Sequence, residues 1–308
     1  MSYSIDPALR RVITQKFPAA KSAGSFCPLS GLTGQTGKVV IEEEVLLARQ
    51  QHPVRIIPGV DRQREYHILR KLSGSGLAPA VYGFAEGWLL LGWQPGEALS
   101  PQQFLQQLDA LVPLLARLHT QPLSGYRLSL LRLLEQYWLL SQPARRHCGW
   151  LRALRRLQRL GEPKPLRLAL LHMDIHAGNV IGSQPLNDGE TACIGDGKVL
   201  KAEAAGISLC SQPLRLIDWE YASDGDIALE LAAIVAGNGL DEQQKAQLTA
   251  AYATAQRLEA AVLARQMQRW QPWLRLLMAS WYELRWQQTQ EQTFFTLAAQ
   301  AWQRVLAE

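Results

Sequence analysis

Apolar and polar positions follow two different periods along this chain, and the change of period divides it. From about residue 26 to 94 the apolar runs are short and strand-like. They are Val39-Val40-Ile41 and Val45-Leu46-Leu47-Ala48, joined by an acidic turn at Glu42 to Glu44, and then Trp88 to Trp93. One helical stretch interrupts them: Arg62 to Leu72 sets Tyr66, Leu69 and Leu72 on one face and stops at Ser73-Gly74-Ser75-Gly76. Past Gln94-Pro95-Gly96-Glu97, a turn suited to a hinge, the spacing becomes helical. Ser100 and Pro101 supply an N-cap and a first helical residue. Phe104, Leu108, Leu111, Leu115 and Leu118 then continue as one stripe to His119, which reads as a core or helix-end residue. Further helices are expected over Asp226 to Val235, Glu242 to Arg257 and Leu258 to Arg269, followed by an aromatic C-terminal pair. The pattern predicts an α+β fold with a small β-rich lobe, residues 1–94, and a larger, mainly helical lobe, residues 95–308.

Two strand-to-loop junctions carry the candidate chemistry. Leu168 to Leu171 reads as a buried strand end, His172-Met173-Asp174-Ile175-His176-Ala177-Gly178-Asn179 as the loop after it, and Val180-Ile181 as the next strand. The spacing H-x-D-x-x-x-x-N brings Asp174 and Asn179 to one acceptor and one metal. The second junction ends the apolar run Leu214 to Ile217 in Asp218-Trp219-Glu220. Together they offer what phosphoryl transfer asks of side chains: a carboxylate to orient a hydroxyl, and an Asn with a second carboxylate to hold magnesium. His172, Asp174 and His176 also spell H-x-D-x-H, which a zinc or iron hydrolase would use, although no further His or Cys follows at ligand spacing. A plain capping turn would leave the second acid a coincidence.

Upstream, Ser30 to Gly37 holds Gly31, Thr33 and Gly34, whose backbone N–H and hydroxyl groups suit phosphate oxygens, although any β-turn favours such residues. Arg49 follows on the next strand, and Glu65 on the helix reads either as its partner or as a solvent-exposed helical acid.

Composition narrows the classes. The chain has 308 residues, 47% hydrophobic content and 10 Trp, which favours a folded protein with a large core. A net charge of +5 fits an enzyme of polyphosphate and equally a nucleic-acid binder. Arg152, Arg155, Arg156 and Arg159 form a stripe opposite Leu151, Leu154 and Leu157; with no recognition motif beside it, a solvated face is expected. Cys27, Cys148, Cys193 and Cys210 lack metal or disulfide spacing. No apolar leader or roughly 20-residue span appears, so a cytoplasmic protein without membrane partners is expected.

These motifs resemble the aminoglycoside phosphotransferase and choline kinase superfamily, small-molecule relatives of protein kinases, and within it the branch of bacterial thiamine kinases. The likeness runs through Leu133 to Trp138, Gly149 to Arg152, Pro165 to Leu168, Leu171 to Asn179, Leu216 to Ala232 and Arg269 to Trp273. It implies a bilobal protein-kinase-like fold, ATP and Mg2+ as cofactors, and a small alcohol as acceptor. Thiamine is favoured, with choline, ethanolamine or an aminoglycoside as alternatives, and a catalytically silent nucleotide-binding protein as the non-enzyme reading. The resemblance gives Asp174 the acceptor hydroxyl and Asn179 and Asp218 the metal. Gly31, Thr33, Gly34, Arg49, Glu65 and Trp93 fall to the nucleotide. Trp219, Glu220 and Tyr221, with Trp281 and Glu283 behind them, are candidates for a cationic acceptor, which aromatic faces and carboxylates would favour. His172 is assigned to bracing the loop and Glu230 to anchoring it. Two departures stand out. Arg49 replaces the Lys of most relatives, as in the thiamine kinase branch, and Ser183 to Pro213 is inserted where most relatives turn a tight hairpin, suggesting a bulging or mobile loop.

Overall fold

A computed structural model describes residues 5–18, 24–29, 34–51, 56–182, 193–194, 198–199 and 214–307. Helix α1 (Pro7–Lys16) starts at Asp6, whose carboxylate accepts from the N–H groups of Ala8 and Leu9. Strands β1 (Ser25–Leu29), β2 (Gly34–Ile41), β3 (Glu44–Gln51), β4 (Val81–Ala85) and β5 (Trp88–Gly92) form an antiparallel sheet in the order β1-β2-β3-β5-β4. Helix α2 (Arg62–Lys71) lies between β3 and β4 in sequence and is capped by Asp61.

The period of two along this sheet decides where the site's cation goes. Leu46, Ala48, Trp88 and Leu90 point to one face and bury Leu9, Val12 and Ile13 of α1. Leu47, Leu89 and Leu91 point to the other, toward α2, and so does Arg49. Strands β2 and β3 are longer than the apolar runs predicted, because polar Gly34 to Lys38 pairs with Leu47 to Gln51 and leaves only Glu42 and Glu43 in the turn.

The helical lobe begins with β6 (Glu97–Ala98), α3 (Pro101–Gln106) and α4 (Leu108–Leu118). The single stripe predicted from Ser100 to His119 is therefore two helices, broken at Gln107 (φ −106, ψ 17), with Phe104 and Leu108 buried on either side. After α5 (Leu130–Leu140) and α6 (Cys148–Leu160) come β7 (Leu168–Leu171) and β8 (Val180–Gly182). Most of the insertion lies outside the described residues; within it β9 (Cys193–Ile194) and β10 (Lys198–Val199) pair antiparallel. Strands β11 (Arg215–Leu216) and β12 (Ser223–Asp226) pair with β8 and β7 respectively.

Four helices complete the lobe: α7 (Ile227–Asn238), α8 (Glu242–Ala255), α9 (Ala260–Thr289) and α10 (Gln292–Leu306). The stop expected at Arg269 does not occur, and α9 runs 30 residues through Pro272. An internal proline costs about 3 kcal/mol. Burial of Trp270 and Trp273 on either side of it, about 4 kcal/mol or more for each indole, outweighs that cost. On α6 the four arginines are exposed while Trp150, Leu154 and Leu157 are buried, as a solvated stripe requires. Among the described residues no helix is long and apolar enough to cross a membrane, and Cys27 and Cys148 are free, exposed thiols.

Candidate active site

The loop after β7 is held from behind by α7. Glu230, in the first turn of α7, accepts from the backbone N–H groups of His172 (2.7 Å) and Met173 (2.6 Å) through one oxygen. Its other oxygen meets His119 Nε2 at 2.7 Å, and His119 Nδ1 lies 2.5 Å from the Tyr252 hydroxyl. At the loop's far end Asn238 takes the Ala177 N–H and donates to Ile175 O. His172 is fully buried and uses both ring nitrogens: Nε2 donates to Ile217 O at 2.9 Å and Nδ1 accepts from the Asp174 N–H at 3.3 Å. Burial lowers its pKa and keeps it neutral, consistent with that tautomer. It braces the loop, as expected, and is no zinc or iron ligand. Among the described residues no group of three or more His, Cys, Asp or Glu could hold a metal by itself.

Pairing of β8 with β11 brings the two acidic motifs together. Ile217 N donates to Asn179 O at 3.0 Å, which places Asn179 and Asp218 at neighbouring positions across the same sheet end. Asn179 Nδ2 donates to Asp174 Oδ2 at 2.9 Å and to Asp174 O at 3.0 Å, closing the five-residue span read from the sequence. Met173 (φ 66) and Asp218 (φ 63) both adopt left-handed backbone, an unfavourable state for side-chain-bearing residues that here falls on each motif once. Burial and the Asp218 charge raise the Asp174 pKa to about 7. Burial also pushes Asp218 upward, but the charge and hydrogen bond of Arg49 outweigh it and leave that carboxyl lowered.

Arg49 is 4% exposed and divides its fork. Nη1 donates to Glu65 Oε1 at 2.8 Å, while Nη2 donates to Asp218 Oδ1 at 2.6 Å and Glu220 Oε2 at 2.9 Å. Glu65 is wholly buried, which decides between ion pair and exposed helical acid in favour of the pair. Arg62 joins both acids, Nη1 to Glu65 at 2.6 Å and Nη2 to Glu220 at 2.9 Å. Arg62 was not singled out in the sequence. The available signal was the i, i+3 spacing of Arg62 and Glu65 on the face that also buries Ile68 and Leu69.

The donor set fits magnesium. Asn179 Oδ1 and Asp218 Oδ2 accept no hydrogen bond among the described residues, and both are hard oxygens. A site of one carboxylate and one amide oxygen, completed by water and phosphates, is what Mg2+ takes in preference to a cage of protein ligands.

The other predicted positions divide. Gly31 and Thr33 lie outside the described residues, and Gly34 opens β2 opposite Gln51. Trp93 spends its backbone N–H on Val45 O at 3.1 Å, with Lys38 Nζ 4.8 Å above its ring. Tyr221 and Trp281 meet, Trp281 Nε1 donating to the Tyr221 hydroxyl at 3.1 Å, and both are half-buried. Three candidates for the acceptor are occupied elsewhere. Trp219 is buried against His172, 4.6 Å between ring centres, and donates to Leu216 O. Glu220 belongs to the arginine cluster; burial and the Asp218 charge push its pKa upward, while Arg62 and Arg49 pull the other way and favour its carboxylate. Glu283 is 1% exposed and bound by Arg145 (2.8 Å) and Trp302 (3.3 Å), so its negative charge is already answered. A cavity of about 560 Å³ lies beside Tyr221, walled by Gly59, Arg64, Arg127, Arg132 and Leu133. None of the acidic motif residues lines it, and its three arginines disfavour a cation.

Residues 30–195, which contain Arg49, Glu65, Asp174 and Asn179, match the phosphotransferase enzyme family. A thiamine kinase of Escherichia coli O139:H28 is 39% identical over 304 residues, covering 98% of this chain and 97% of that protein. One from Shigella dysenteriae serotype 1 is 40% identical over 277 residues, covering 90% and 88%. The fold is that of a choline kinase from Streptococcus pneumoniae, with a TM-score of 0.68 at 18% identity over 97% of this chain and 98% of that one. With the catalytic-loop geometry, the family match and near full-length identity all in agreement, this chain belongs to the phosphotransferase enzyme family.

Proposed function

We propose that the chain transfers the γ-phosphoryl group of ATP to the primary alcohol of thiamine, giving thiamine phosphate and ADP. The observation that carries this reading is the 39–40% identity to thiamine kinases over 90–98% of the chain. The site geometry supports the chemistry. Asp174 Oδ2 is engaged by Asn179, which leaves Oδ1 to accept the acceptor hydroxyl. The alcohol oxygen bonds to the γ-phosphorus, the bond from that phosphorus to the β–γ bridging oxygen breaks, and the hydroxyl proton passes to Asp174. A carboxyl with a pKa of about 7 suits that proton better than an ordinary Asp. Positioning and charge neutralisation supply most of the rate in such a loose transition state. Bound magnesium would neutralise phosphate charge, held by Asn179 Oδ1 and Asp218. Arg49 supplies the protein's own cation, and its pairing with Glu65 speaks against a silent pseudoenzyme. Tyr221 and Trp281 offer aromatic faces for the thiazolium ring. ATP as donor and the exposed thiols of Cys27 and Cys148 fit a cytoplasmic enzyme.

ADP release with ATP and magnesium against thiamine, choline, ethanolamine and kanamycin tests the reading. Turnover is expected on thiamine and none in Asp174→Ala. Turnover confined to another alcohol overturns the substrate, and silence on the whole panel overturns the activity.

A further inference from the structure

Arg49, Glu65, Arg62 and Glu220 close a ring of alternating charge. Its four contacts are 2.8, 2.6, 2.9 and 2.9 Å, and its side chains are 0–5% exposed, against 35% for Asp218 at its rim. The ring ties β3 and α2 of the small lobe to the turn that follows Asp218. Arg64 adds a second tie from α2, donating from Nη2 to the backbone oxygen of Glu220 at 2.7 Å. Burying four charges is a poor way to gain stability, because desolvation consumes most of the Coulombic attraction. What such a ring supplies is a fixed geometry.

We propose that Arg62 and Glu220 are positioning residues that latch α2 to the Asp218 turn and so hold the Arg49 fork in register with nucleotide and metal. The proposal rests on the phosphoryl-transfer reading and adds residues to it. Glu65 alone fixes one arm of Arg49. The other arm is shared by Asp218 and Glu220, the latter 171 positions away in the chain, and Arg62 orients Glu65 and Glu220 at once. The arrangement also accounts for arginine at position 49. A planar fork meets Glu65 with one arm and Asp218 and Glu220 with the other, whereas a lysine ammonium is a single point. With the ring closed, α2 cannot swing from the helical lobe without unpairing buried charges, so the site stays assembled without a separate activation step.

Steady-state kinetics on the full chain test the latch in Arg62→Met, Arg62→Lys, Glu220→Gln and the double variant Arg62→Met/Glu220→Gln. Displacement of Arg49 by about 1 Å is expected to lower kcat/KM for ATP about 10²-fold in Arg62→Met and Glu220→Gln, while KM for the acceptor stays within about twofold. Arg62→Lys should restore part of the loss, and the double variant should be little worse than either single one. Additive losses, or a fall in kcat that only tracks the folded fraction with KM for ATP unchanged, would overturn the proposal. If Arg62→Met does not fold, Arg62→Lys and Glu220→Gln decide. Calorimetric titration with ADP and magnesium needs no acceptor: roughly tenfold or greater weakening in Glu220→Gln supports the latch, and unchanged affinity sinks it. Absence of thiamine turnover in the unaltered chain would instead count against the substrate reading, and the ADP titration would still judge the latch.

Discussion

Asp174 and Asp218 are the same residue type at the ends of two neighbouring β-structures, yet their surroundings drive them apart. Burial and the Asp218 charge raise Asp174 to about 7 against the hydrogen bond from Asn179; burial pushes Asp218 upward too, but the guanidinium of Arg49 outweighs it and leaves that carboxyl lowered. One carboxyl is thereby kept able to take a proton at neutral pH and the other is kept ionised, as the proposed base and metal ligand require. The contrast comes from one cation. Arg49 touches Asp218 directly and reaches Asp174 only through space. Two acids pushed apart in this way mark their separate roles in the reaction.

The comparison breaks most severely when either acid is removed. Asp218→Ala is expected to cut kcat about 10³-fold or more, as loss of several kcal/mol of metal-borne charge stabilisation implies. Asp174→Ala should cut it about 10²–10⁴-fold, the range for a general base. In both, circular dichroism should show an intact fold, and retained turnover in either would break the assignment. Stability should respond to pH with opposite signs. The raised Asp174 contributes fully below its ordinary 3.8, and that contribution is lost as pH rises through about 7. The lowered Asp218 contributes fully above 3.8 and loses its contribution as pH falls below it. Magnesium should narrow the contrast. By neutralising Asp218 it should lower the Asp174 pKa, which carboxyl NMR titration with and without the ion would reveal. Glu230→Gln comes next. With the loop's two backbone donors left on a neutral acceptor, a loss of about 2 kcal/mol is expected in denaturant unfolding. Smallest of all, alanine at Arg152, Arg155 and Arg156 should change stability by less than about 0.5 kcal/mol and leave kcat/KM for thiamine unchanged.

What the sequence disclosed depended on how far apart the partners lie. Asp174 and Asn179 sit five residues apart on one loop, and the strands that flank them are apolar runs, so motif and setting were both local. Asp218 and Glu65 were legible from their order along the chain. The partners of Glu220 and Glu283 were not, because Arg49, Arg62 and Arg145 reach them across more than a hundred residues. An acid beside an aromatic reads as a cation site until its own cation is seen. Helix α1 escaped notice because its apolar residues, Leu9, Val12 and Ile13, are few and only the sheet makes them a core. The continuation of α9 past Arg269 was not legible either, since a proline is a local cost and the packing of Trp270 and Trp273 that exceeds it is not local.

Helix α9 does more than fill space. In its first half Gln266 and Trp270 grip Asp226, and eleven residues after Trp270, about 16 Å along the axis, Trp281 meets Tyr221. Pro272 lies between the two contacts. Trp281 thus meets Tyr221 about three turns beyond the point where Asp226 fixes the helix. Under the proposed function, drift in the residues packed around that grip offers descendants of this chain a route to alcohols of other sizes, with Asp174, Asn179 and Asp218 left untouched.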